Sequence, residues 1–391
     1  MPRRALVGLG LGQCINWGVL YYAFAGLLLP MATDLRATPW VVTGAFSSAL
    51  LVAALAAPVV GQWSDRGEAP RIMQIGGVAA TVLLAASAFA SHVFHLYVIW
   101  AALGFCMAAT LYEPAFAIVG RRHSNAAGRL RALAFVTIFG GLASTVFLPL
   151  TGWLIGEVGW RRAVVALAAC IGASTLITWC VACRDAAART EPLAQAVQRA
   201  ASRKPAVGLQ PMLVTFAFVS LAGTAVMSNL VAALSERGFT AGTAATLGGL
   251  FGVMQLPGRV LLLQADDHTS PSVLLGVSLC LQAVGLLAWA VVPSDTAVVL
   301  GLAVFAVGAG LSTLVRPYLV QNEFGAEQAG QLNGRIARAQ QLARAAGPVV
   351  AGAFASLAGY RFVLVVLGAT FAALALASPS RSASASPIRP L

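Results

Sequence analysis

Two residues put charge where charge is expensive. In Thr110-Leu111-Tyr112-Glu113-Pro114 a carboxylate falls near the end of a long apolar run, and Thr313-Leu314-Val315-Arg316-Pro317 repeats the pattern with the charge reversed. Holding either charge at membrane depth costs roughly 2.5–3.5 kcal/mol even on lenient insertion scales, so such a group normally faces a partner or a wet cavity. The chemistry open to the pair is an ion pair that forms and breaks, or proton uptake at the carboxylate. A third charge is deeper still. Arg344 lies nine residues beyond Arg335, about 13.5 Å at 1.5 Å per residue, which snorkelling spans poorly. Asn333, Gln340 and Arg344 share one helical face, and Arg344 can meet either a substrate anion or a structural ion or carbonyl partner. On the first apolar run Gln13, Trp17 and Tyr21 share a face with Asn16 and Tyr22 beside them, mid-span, where an interfacial aromatic belt should not lie. Ser228 and Asn229 are candidates of the same kind. The expected binding set is therefore Gln13, Asn16, Trp17, Tyr21, Tyr22, Ser228, Asn229, Gln340 and Arg344.

The elements that position these residues follow from composition. The chain has 391 residues, of which 59% are hydrophobic and only 10% charged, and its mean hydropathy is +0.83; soluble domains run about 25% charged. Apolar runs near 20 residues, each able to cross a ~30 Å hydrocarbon core as a helix, recur at roughly 6–30, 41–62, 72–91, 95–119, 130–155, 162–183, 210–235, 242–264, 272–293, 296–319, 334–357 and 361–378. The expectation is an all-α membrane protein with twelve transmembrane helices. The net charge of +12 sits in the short connections rather than on one soluble face, which argues against nucleic acid. Lys and Arg number fifteen in one set of alternate connections and five in the other, so the positive-inside rule places both termini in the cytoplasm. The basic N-terminus precedes a run too long for a signal h-region, and an uncleaved first helix is expected.

The motifs around Glu113 and Arg316 are 316 − 113 = 203 residues apart. Gly159-Trp160-Arg161 matches Gly359-Tyr360-Arg361 at 200, and Pro58 matches Pro257 at 199. Each half holds six spans, so the repeats are parallel, related by an axis along the membrane normal. The organisation expected is a six-helix bundle over 1–183, a cytoplasmic linker over 184–209, a second bundle over 210–378 and a low-complexity tail over 379–391.

After the second span comes Gly61-Gln62-Trp63-Ser64-Asp65-Arg66-Gly67-Glu68-Ala69-Pro70-Arg71. It resembles the cytoplasmic loop signature G-x-x-x-D-R-x-G-x-R-R of the major facilitator superfamily, with Glu68 at the second glycine. The resemblance covers nearly the whole chain and implies a secondary transporter working by alternating access. It also implies that Asp65, Arg66 and Arg71 form a latch on the cytoplasmic side. Trp17-Gly18, Arg121-Arg122, Gly140-Gly141, Pro149 and Gly159-Trp160-Arg161 look most like the monocarboxylate and oxalate/formate porters of that superfamily. In the eighth span Gln255 and Arg259 stand where a monocarboxylate porter would carry a buried Asp and Arg.

The expectation is thus a transporter and not an enzyme. No paired carboxylate, nucleophile elbow or phosphate loop is present. Neither a metal nor another cofactor is implied, and the lone Cys180-x-x-Cys183 lacks a second pair. Arg316 and Arg344 against Glu113 leave one positive charge that an organic anion would balance. The substrate expected is a small carboxylate-type anion, moved with or against protons, with the chain acting as a monomer in the bilayer of the inner (plasma) membrane. The alternatives are an exporter of amphipathic drug-like compounds, which would use the aromatic lining and Glu113, and a transporter-like sensor or membrane enzyme.

Overall fold

The computed structural model of the protein describes residues 2–122, 126–183, 209–263 and 271–377, and every regular element among them is helical. The expected linker, but for its last residue, and the tail at 379–391 lie outside the described residues. Nine helices among the described residues are long and apolar enough to cross a membrane. Two of these are too long for one crossing. Phe135–Cys180 has 46 residues and Arg335–Ala377 has 43, about 69 and 65 Å if straight. Each contains a glycine at positive φ, Gly159 at 76° and Gly359 at 80°, a conformation that a Cβ disfavours. The chain turns at these two glycines.

The first span consists of α1 (Arg3–Trp17), a π-helical turn at Gly18–Tyr22, and α2 (Ala23–Asp34). Then come α3 (Pro39–Asp65) and α4 (Ala69–Ser87). The connection between them is a Schellman turn: the Gly67 N–H donates to the Ser64 carbonyl at 3.0 Å and the Glu68 N–H to the Trp63 carbonyl at 3.1 Å. The residue at positive φ is Gly67, at 93°, one position ahead of the signature's second glycine, so Glu68 is accommodated without strain at φ −85°. Arg66 and Arg71 are exposed, whereas the Asp65 side chain lies outside those described.

The fourth span is in two pieces, α5 (Val93–Thr110) and α6 (Tyr112–Arg122), parted at an extended Leu111 with φ −81° and ψ −154°. Proline supplies the reason, because Pro114 has no N–H to offer the Thr110 carbonyl. Beyond it lie α7 (Ala126–Gly141), α8 (Ala143–Ile177) with a second π turn at Thr178–Cys183, α9 (Leu209–Ser228), α10 (Leu230–Glu236), α11 (Ala241–Leu263), α12 (Pro271–Val291) and α13 (Asp295–Ala377). The backbone stays helical through Thr313–Pro317. Of the two proline motifs, only the first interrupts its helix.

By internal contacts the chain forms two compact units, Met1–Val253 with Gly330–Val363, and Met254–Ala329 with Leu364–Leu391. In the first, α3 packs on α5, α4 on α5 and α8, and α1 on α7 and α8. Its centre is aromatic: Phe24 stacks on Phe46 at 4.5 Å, and both meet Trp100 edge-on. Helices from both halves of the sequence meet inside this unit. Ser47 Oγ accepts the Val349 N–H at 3.2 Å, and Gly352 lies against Trp40 and Thr43. Gly252 of α11 lies against Ser144 and Thr145 of α8, leaving no room for a side chain. In the second unit Gly285 and Gly301 bring two helix backbones together, as small residues do between membrane helices. There Ser278 Oγ donates to the Gly308 carbonyl at 2.8 Å, and Phe305 meets Phe371 at 6.4 Å.

Candidate functional site

The Thr110 carbonyl, released by Pro114, does not stay unsatisfied. It accepts Gln13 Nε2 at 2.8 Å and Asn16 Nδ2 at 3.2 Å, as a buried carbonyl in a low-dielectric interior must find a donor. Asn16 Oδ1 in turn accepts the Ser174 hydroxyl at 3.0 Å. Gln13 and Asn16 are buried, so two members of the expected binding set hold the broken fourth span to the first.

The next turn of the first span carries the exposed chemistry. Trp17, Tyr21 and Tyr22 are half-buried, as are Tyr112, Phe116 and Arg344. Their rings run in sequence: Phe116 stacks on Tyr112 at 5.0 Å, Tyr112 meets Trp17 at 4.9 Å, Trp17 meets Tyr21 at 5.2 Å and Tyr21 meets Tyr22 at 5.1 Å. Tyr21 also rests edge-on against the buried Phe46 at 5.6 Å, which ties the strip to the aromatic core. The π turn at Gly18–Tyr22 presents Tyr21 and Tyr22; such turns concentrate at functional sites. Arg344, from the other half of the sequence, acts electrostatically on Tyr21. Among the described residues the Arg344 guanidinium has no hydrogen-bond or carboxylate partner.

The structure therefore brings Trp17, Tyr21, Tyr22 and Arg344 together and sets the other candidates apart. Ser228 Oγ donates to the Thr224 carbonyl of its own helix at 2.7 Å. Asn229 is a buried junction: its Nδ2 donates to the Ala225 carbonyl at 3.0 Å and the Pro348 carbonyl at 3.3 Å, while its Oδ1 accepts the Tyr360 hydroxyl at 3.0 Å. Gln340 is buried, with Nε2 donating to Ser220 Oγ at 2.9 Å. Glu113 is exposed in the first turn of α6, where the helix dipole favours a carboxylate. Arg316 is half-buried and belongs to the second compact unit. Tyr112 and Phe116 were not in the expected set. The Tyr112 signal was its place beside the proline break, where a span must present a new face.

Six residues thus form an aromatic and cationic surface among apolar helices. The Major Facilitator Superfamily family model matches residues 9–348. The chain belongs to the Major Facilitator Superfamily. It is accordingly a multi-pass membrane transporter of the secondary type, not an enzyme. Among curated superfamily relatives it is 30% identical to monocarboxylate transporter 11 of Homo sapiens over 165 residues, 42% of this chain and 33% of that one. It is 33% identical to the Mus musculus protein of the same name over 148 residues, 37% of this chain and 32% of that one. The chain thus spans about a third of the length of these relatives, which fit the monocarboxylate branch. Among solved structures, a bacterial homolog of the human lysosomal transporter Spinster, inward-facing and unoccupied, gives a TM-score of 0.75 at 15% identity, covering 96% of both chains. The nucleoside transporter NupG gives 0.69 at 14% identity, covering 96% of this chain and 98% of that one. The human organic anion transporter MFSD10 gives 0.69 at 17% identity, covering 96% and 99%. At these identities the likeness is one of fold.

Proposed function

We propose that this superfamily member carries a small organic anion of carboxylate type across the inner (plasma) membrane by alternating access, with both termini cytoplasmic. One observation carries the reading: Arg344, deep in its span, acts electrostatically on Tyr21 and has no carboxylate partner among the described residues. A guanidinium at membrane depth favours an anion, and a substrate carboxylate matches its planar fork. The names of the monocarboxylate relatives agree with this. Twelve spans in two six-helix bundles, 1–183 and 210–378, fit the nine long helices once two are doubled at Gly159 and Gly359 and α11 is added. The packing of α8 on α11 and of Ser47 on Val349 suits a state closed on the outer side.

Glu113 and Arg316 are assigned to a cytoplasmic gate that closes as an ion pair, with Glu113 the residue able to couple transport to protons. Asp65, Arg66 and Arg71 serve as the cytoplasmic latch. The test is uptake of labelled monocarboxylates into proteoliposomes with and without a pH gradient. Arg344→Gln should weaken substrate binding at least about tenfold, the scale of a lost charge-assisted hydrogen bond, and Arg344→Lys should fall between, since Lys keeps the charge but not the fork. Wild-type binding in Arg344→Gln would end the reading. The aromatic strip and the exposed Glu113 favour a second one, export of an amphipathic cation, for which cation-driven rather than anion-driven flux would be observed.

A further inference from the structure

The aromatic strip has more surface than a short aliphatic acid can use. Phe116, Tyr112, Trp17, Tyr21 and Tyr22 form one continuous run of half-buried rings, drawn from the first and fourth spans. Both ends of the run are fixed. The π turn and the break at Leu111 set the two backbones, and Gln13 and Asn16 pin one to the other through the Thr110 carbonyl. Behind the strip, Phe46, Phe24 and Trp100 are buried and in ring contact, and Phe46 backs Tyr21. A rigid lining spends little ordering entropy on binding. Among the described residues the cationic charge against the strip is that of Arg344, which acts on Tyr21, while Arg335 and Arg338 are exposed and the exposed Glu113 carboxylate lies beside Tyr112.

We infer that the substrate is an aromatic monocarboxylate, its single carboxylate on Arg344 and Tyr21 and its planar ring laid along Trp17 and Tyr112. This rests on the carboxylate reading above and narrows it. Ring stacking geometry favours offset or edge-to-face contact with centroids about 4.5–7 Å apart, which the strip's faces offer. Among the described residues Arg344 is the one guanidinium acting on Tyr21, so a dianion would bring a second charge without a partner there. A neutral ring would leave Arg344 unmatched.

The experiment is competition for labelled benzoate by the full-length protein in proteoliposomes, using acetate, pyruvate, phthalate and benzamide as competitors. Benzoate should bind at least about tenfold tighter than acetate, about 1.4 kcal/mol, and tighter than phthalate or benzamide by a similar factor. Trp17→Phe should keep that preference within about threefold, whereas Trp17→Leu should erase it. The Tm of Trp17→Leu in detergent, read against wild type and Trp17→Phe, shows that the variant is folded. Acetate or pyruvate competing as well as benzoate, or an unchanged preference in Trp17→Leu, overturns the aromatic inference and leaves the carboxylate reading standing. If benzamide competes as well as both acids, the carboxylate reading falls, and this inference falls with it.

Discussion

Two turns at matched places in the two halves solve one problem with different chemistry. Each span pair that reverses at Gly159 or Gly359 is followed by an aromatic residue and an arginine, and each receives a carboxylate from the end of the half's first span: Asp34 in one, Glu236 in the other, 202 residues on. In the first turn the side chains do the binding. Arg161 donates to Asp34 Oδ2 at 2.7 Å, to the Ala90 carbonyl at 2.9 Å and to the Ala88 carbonyl, and Trp160 Nε1 donates to Asp34 at 3.2 Å. In the second turn the backbone does it. Glu236 accepts the Tyr360 N–H at 3.0 Å, Arg361 is exposed, and the Tyr360 hydroxyl reaches inward to Asn229. The first tether ties three spans at the surface, and the second runs from the surface to a buried amide. Sequence repetition has preserved the position of the tether without preserving its donors.

The sharpest way to break the comparison is Tyr360→Phe. It leaves Asn229 Oδ1 buried without its donor, which should cost about 1–3 kcal/mol and be read as a lower Tm in detergent. No residue of the first turn should match it, because Asp34 and Arg161 are both about two-fifths exposed; an equal loss in Trp160→Phe would mean the two tethers are the same device. Alanine at the two glycines comes next. Both positions have positive φ, so each substitution should cost about 1–2 kcal/mol. Gly359→Ala should cost more, since its new Cβ would lie 3.1 Å from the Glu236 carboxylate while the space around Gly159 is open. Arg161→Ala should cost about 1 kcal/mol at most, in keeping with an exposed pair. Arg161→Lys should recover only part, having lost the fork that serves a carboxylate and carbonyls together. The smallest effect is that of salt. At 1 M the Debye length shrinks to about 3 Å, and Asp34→Asn should then be nearly silent, with Tyr360→Phe unchanged; a salt-insensitive Asp34 would place that pair in a drier setting than its exposure implies.

What the sequence made legible follows from which physical signals are local. The apolar runs, the superfamily signature and the depth of Arg344 are all properties of one stretch of chain, read from length and spacing. The break in the fourth span was legible too, because a missing N–H at Pro114 needs no tertiary information. What answers that break was not legible. Gln13 and Asn16 share a face with Trp17, and only the position of Thr110 across the helix interface decides that the amides are spent while the rings remain half-buried. The same blindness hid Tyr112, and it left Asn229 looking like a ligand contact when the Pro348 carbonyl and the Tyr360 hydroxyl occupy it. The proline motif around Arg316 shows the converse limit, since an equal local signal left its helix unbroken.

The wide turn at Gly18–Tyr22 gives the first span a phase that a straight helix of the same length lacks. An α-helix rotates about 100° per residue, and a π turn accommodates one residue beyond the regular count. Residues ahead of it keep Gln13 and Asn16 turned toward Thr110, and residues behind it keep Phe24 against Phe46. The surplus residue is stored between these two fixed faces, at the level of Tyr21. Removing one residue from this turn would therefore not shorten a spacer. It would let the turn relax to a regular helix with both faces still in step, whereas forcing the span straight at its present length would put its ends out of step by about a quarter of a revolution, so that only one of them could keep its partners.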